Sequence, residues 1–151
     1  MERPKVKRWD EEPVPKTVEE AIAWAEAVLP GVVAPEGELD PRWQAIIAVG
    51  EFIPGEPEAV WQFARRWGSH EGQDLRMAVA TCLVEHLLDS QFDQFFPRVV
   101  AAAREDPLFA STFTYCWKFG QAKESDRARS FDRVQAAIRK RERKGRGPSA
   151  H

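Results

Sequence analysis

The sequence predicts an all-α chain of about seven helices, arranged as a short stack of antiparallel helix pairs. Three observations carry that expectation. Apolar residues recur at helical spacing along nearly every segment, most plainly in PEAVWQFARRWGSHEGQDLRMAVATCLVEHLL, from Pro57 to Leu88. No stretch alternates apolar and polar residues in the manner of a strand. Helix starts near Pro41, Gln73 and Pro107 lie about 32 and 34 residues apart, a quasi-period of stacked helix pairs and not of a four-helix bundle.

The elements follow in order. Residues 1–16 hold three prolines among alternating charges and read as an extended, flexible arm. Thr17-Val18-Glu19-Glu20 is a capping box. Val18, Ile22, Ala25 and Leu29 then keep helical spacing until Pro30-Gly31 stops the helix. Asp40-Pro41 supplies a cap and a first-turn proline for the next helix, whose face holds Trp43, Ile46 and Ile47. Glu56-Pro57 repeats the signal ahead of Val60, Trp61, Phe63, Ala64 and Trp67, and Gly68 reads as a left-handed terminator. The longest periodic segment, Gln73 to Asp89, places Leu75, Val79, Cys82, Leu83, His86 and Leu87 on one stripe.

Ser90 is expected to cap a helix carrying Phe92, Phe95, Phe96, Val99, Val100 and Ala103, with Pro97 causing a kink or restart near Phe95. Asp106-Pro107 opens a helix through Phe109, Phe113, Cys116 and Trp117 that Gly120 closes. Ser125 caps the last helix, with Phe131, Val134, Ala137 and Ile138 inward. A single helical domain over 17–139 is therefore expected, with 140–151 a basic disordered tail.

Composition narrows the classes. No apolar run approaches the roughly 18 residues of a membrane span. MERPKVKRWDEEP is followed by no apolar signal-like segment, and Cys82 and Cys116 do not form a disulfide framework, so a cytoplasmic setting is expected. The net charge is −2, yet from Arg127 onward nine Lys/Arg face only Asp132 and Glu142, a local balance of +7. Such a split holds the tail against the body or directs it to an acidic partner.

The run Asp74-Leu75-Arg76-Met77-Ala78, with Phe95-Phe96-Pro97 after it, resembles the HEAT-repeat superfamily over about Pro57 to Gly120. The resemblance implies a right-handed stack in which Asp74 and Arg76 have structural roles. Trp117-Lys118-Phe119-Gly120 is also similar to the helix end that marks an uncharacterised bacterial domain family. Neither resemblance implies an activity.

Candidate chemistry competes with plainer readings. Cys82 and His86 share a helix face at i, i+4, a spacing that holds two metal ligands; core packing of Cys82, with His86 hydrogen-bonded at the core edge, is the alternative, and the expected one. Glu85 and Asp89 beside His86 suit acid–base work, or form a solvated face, which is expected. Most tryptophans pack the core or the seams between helix pairs. Arg65, Arg66 and Trp67, at a helix end, form the best anchor cluster for a protein partner, against a plainer and expected reading as helix-dipole complementarity plus packing. Arg139, Lys140, Arg141, Arg143 and Lys144 form a basic run able to meet a protein or nucleic-acid phosphate. The reading is a non-catalytic bacterial protein-interaction module without cofactor or metal. The alternative is a HEAT-like nucleic-acid binder using the basic C-terminal helix and tail. The partner and the oligomeric state are not legible in the sequence.

Overall fold

The structure is a computed structural model that describes residues 14–32 and 34–146. The N-terminal arm up to residue 13 and residues 147–151 lie outside the described residues. Helices are α1 (Val18–Val28), α2 (Pro41–Gly50) and α3 (Pro57–Trp67). Helix α4, over 73–90, is α-helical over Gln73–Val79 and Glu85–Ser90 with a π-turn at Ala80–Val84 between. Then come α5 (Phe92–Glu105), α6 (Pro107–Thr114), a 3₁₀ turn at Gly120–Lys123 and α7 (Ser125–Arg146). Among the described residues the chain is all-α, with seven helices and no strand.

Local chemistry sets the starts. Thr17 Oγ accepts the Glu20 N–H at 3.1 Å, while the Glu20 carboxylate takes the Lys16 N–H at 2.8 Å. Asp40 and Asp106 cap α2 and α6, each accepting at 2.9 Å from the N–H two residues on, with Pro41 and Pro107 next in line. Ser90 does not cap α5. It closes α4, its hydroxyl donating to the His86 carbonyl at 3.0 Å. The α5 start is served instead from the 3₁₀ turn, where Gln121 Oε1 accepts the Phe92 N–H at 3.0 Å. Pro97 causes no restart, because α5 is continuous and Pro97 lies on its solvent side, where the carbonyl it leaves free can meet water.

The helices pair in sequence, α1 with α2, α3 with α4, and α5 with α6, while α4 lies against both α2 and α6. Helix α7 packs on α6 and α5 at one end. Ion pairs tie successive units. Arg66 of α3 meets Glu26 of α1, and Arg98 of α5 meets Glu58 of α3. In the other layer Arg42 of α2 reaches both Asp40 and Asp74 at the start of α4. Asp74 and Arg76 do hold structural roles: Arg76 donates to the His70 and Glu71 carbonyls at 3.0 and 2.8 Å.

One core runs through the units. Phe63, Phe95, Phe109, Phe113 and Phe131 are fully buried, and Trp61 sits edge-on to Phe109 with ring centres 5.7 Å apart. Gly68 is not left-handed; its φ is −68°. Its role is clearance, because a Cβ there would lie 2.9 Å from the Phe109 ring. The last helix continues past the expected limit at 139 to Arg146, since Arg139 and Arg141 anchor it on α6 and α5. No helix of the described residues is long and apolar enough to cross a membrane.

A candidate interaction ledge beside a π-turn

The π-turn sets the site. A π-turn inserts one residue, which advances every later side chain by about 100° around the helix axis. The expected stripe of residues 75, 79, 82, 83, 86 and 87 becomes Leu75, Val79, Leu83, Val84, Leu87 and Leu88, all buried. Cys82 therefore moves to the core edge and His86 turns outward. Both line a groove of about 390 Å³ between α2 and α4, with Gly50, Thr81, Asp89 and Ser90. Gly50 permits the approach, since a Cβ there would meet the Cys82 carbonyl at 2.9 Å.

The same rotation buries Glu85, which the sequence placed on a solvated face. Burial pushes its carboxyl above the usual range, against the Trp117 N–H and the neighbouring His86, which lower it. Its Oε2 accepts that N–H at 2.8 Å. The Ala80 carbonyl, bonded across the π-turn by the Glu85 N–H, also faces Cys116 Sγ at 3.6 Å. Burial raises both thiols, Cys116 strongly, so each is held as a neutral small hydrophobe.

Glu85 and Asp89 thus act as clamps on one segment. Helix α6 ends at Thr114, not at Gly120, and residues 116–119 have no regular secondary structure, with Phe119 extended. Gln135 of α7 donates to the Phe113 and Cys116 carbonyls at 2.9 Å each, and Arg139 to the Thr114 carbonyl at 3.2 Å, which satisfies the helix end. Asp89 packs against Gly120, whose φ is +52°. Between these anchors Trp117 is 74% exposed and Phe119 44%, while Lys118 pairs with Asp132 and lies over Phe131. Tyr115 Oη accepts from Gln73 at 3.0 Å, tying the ledge to the start of α4. Trp117 was expected inside a helix at or near its apolar face; among the described residues it is instead the most exposed large apolar side chain after Val14 and Val32.

The residues singled out in the sequence fall into two separate groups. Arg65 is partly buried and works inside the fold, bonded to Ser69 at 2.7 Å, paired with Glu105 and Asp106, and stacked over Phe109. Arg66 is more open and pairs with Glu26. Trp67 stacks on His70 at 5.6 Å, and its buried Nε1 has no partner among the described residues. Arg66, Trp67, Ser69, His70 and Glu71 line a shallow cavity of about 390 Å³. On α7, Arg139 and Arg141 each donate to one carbonyl, whereas Lys140, Arg143 and Lys144 are exposed without side-chain partners among the described residues. No three His, Cys, Asp or Glu side chains converge among the described residues as a metal site would require. The missed ledge carried one sequence signal, the two aromatics of Trp117-Lys118-Phe119-Gly120, which continue the apolar period and so read as helix. Set against family models, curated proteins and solved structures, the chain matches none.

Proposed function

We propose that the chain is a non-catalytic protein-interaction module of the bacterial cytoplasm, a HEAT-like scaffold whose binding element is the Trp117–Phe119 ledge. The observation that supports this is the exposure of Trp117 on backbone fixed from both sides by Glu85 and Asp89. An indole held open on a rigid segment gives a partner a large apolar contact with little ordering cost. The acids and thiols near it are committed to structure: Glu85 holds a backbone N–H, and both cysteines are held neutral.

The test is partner capture from host extract by the full chain, followed by mass spectrometry. Trp117→Ala and Phe119→Ala are expected to lose the captured protein while melting as the parent does, because surface changes of this kind move stability by only about 0.5 kcal/mol. Arg66→Ala, at the anchor cluster read from the sequence, is the parallel arm. Capture that survives both ledge substitutions overturns the proposal.

A second reading, nucleic-acid binding, draws on Lys140, Arg143 and Lys144, which face no carboxylate among the described residues. It predicts duplex binding that falls steeply with salt and disappears when these three are reversed in charge.

A further inference from the structure

We infer that the groove between α5 and α7 is a docking site for an acidic amphipathic helix of a partner protein. This groove encloses about 340 Å³ and uses no residue of the Trp117 ledge. Its floor is apolar: Val100 and Ala103 from α5, and Val134, Ala137 and Ile138 from α7. Three arginines rim it, Arg104 from α5 and Arg133 and Arg141 from α7.

The charge pattern names the occupant. Arg42, Arg65, Arg66, Arg98, Arg127 and Arg129 each face a carboxylate within the fold. Arg104, Arg133 and Arg141 meet none among the described residues, and Arg141 is oriented by one bond to the Ala103 carbonyl at 3.1 Å. Three cations left without counterions around an apolar floor are complementary to a ligand with an apolar stripe and acidic flanks. Arg133 and Arg141 lie on one helix about 12 Å apart by its rise, a little over two turns of a docked helix. The small Ala103 and Ala137 let another helix approach closely, so the mode is helix in groove, with anchors at i, i+3, i+4 and i+7. Nucleic acid would use the arginines and leave the floor unfilled.

The experiment uses the full chain and a fluorescein-labelled synthetic peptide of about 16 residues, with Leu at i, i+3, i+4 and i+7 and Glu at most other positions. Fluorescence anisotropy is expected to show saturable binding that weakens with salt. Arg133→Glu, which reverses a rim charge, and Ala137→Trp, which fills the groove and keeps its charge, should each weaken it at least about tenfold. Ala137→Gln, also neutral and larger than Ala, serves the same end if the Trp variant melts early, and Trp117→Ala should leave the peptide affinity unchanged. Absence of saturable binding, or affinity unaffected at Ala137, overturns the proposal. So does displacement of the peptide by oleate or duplex DNA at lower concentrations than unlabelled peptide. Concentration-dependent dimerisation that Ala137→Trp abolishes would assign the groove to a second copy and likewise overturn it.

Discussion

The Glu85 carboxylate accepts the Trp117 backbone N–H at 2.8 Å, so the openly presented indole hangs from a buried acid. Burial raises that carboxyl above its usual value of 4.5. The folded chain therefore holds the proton over a window in which the unfolded chain has released it. Stability contributed by the protonated group is present in full below about 4.5 and is lost as pH rises through the raised value. Glu85→Gln keeps an oxygen for the Trp117 N–H and removes the buried charge. Thermal melts from pH 4 to 8 should show the Gln variant gaining on the parent as pH rises. Glu85→Ala, which leaves the N–H without this acceptor, should cost about 1 kcal/mol or more throughout. A Gln variant less stable than the parent at neutral pH would show that the ionised carboxylate itself is required.

Gly120 closes the other side of the clamp. Its φ of +52° costs a side-chain-bearing residue about 1–2 kcal/mol, and a Cβ there would lie 2.7 Å from Asp89 Cγ and 2.8 Å from the Asp89 carbonyl oxygen. Gly120→Ala should therefore lower stability by more than about 2 kcal/mol in urea denaturation. Adding Asp89→Ala should restore only part of the loss, because the carbonyl contact and the backbone conformation remain. Full restoration would place the whole cost in the Asp89 side chain.

Three helix starts were legible because they are local. Asp40-Pro41, Asp106-Pro107 and Thr17 act on their own first turns, and each does what its spelling suggests. What escaped the sequence depends on residues far along the chain. The π-turn in α4 has no spelling of its own, and one inserted residue is enough to exchange Cys82 and His86 for Val84 and Leu88 in the core. Helix α6 ends at Thr114 because Gln135 and Arg139, well along another helix, take its last carbonyls. Gly68 looked like a turn residue and is a packing residue, required by the Phe109 ring. The candidate ledge shares this origin: its exposure follows from the early end of α6 and the rotated Glu85, both set by tertiary contacts.

The link between Arg42 and Asp74 joins successive units and invites a double-mutant cycle. Arg42 is nearly buried and also bonds Asp40 at 2.9 Å, whereas Asp74 is partly exposed. Partial exposure of Asp74 discounts the pair, so a coupling of about 0.5–1 kcal/mol is expected for Arg42→Met with Asp74→Asn. Arg42→Ala alone should cost more, about 2–3 kcal/mol, since it also leaves Asp40 without its cation. Chemical denaturation of the four proteins gives the numbers. A coupling indistinguishable from zero would reduce the link to coincidence of position.

The basic end of α7 divides into two kinds of residue, and a substitution series separates them. Arg139 and Arg141 donate to the Thr114 and Ala103 carbonyls, at the ends of α6 and α5, where a cation also complements the helix dipole. Arg139→Ala and Arg141→Ala should each cost about 0.5–1.5 kcal/mol. Lys140, Arg143 and Lys144 are exposed, so reversing all three to Glu should move the midpoint little, within about 0.5 kcal/mol per site. The triple variant also decides between the two functional readings, because it keeps the ledge and removes the phosphate-seeking charges. Partner capture should persist in it. Loss of capture together with loss of salt-sensitive duplex binding would move the function from the ledge to this helix end.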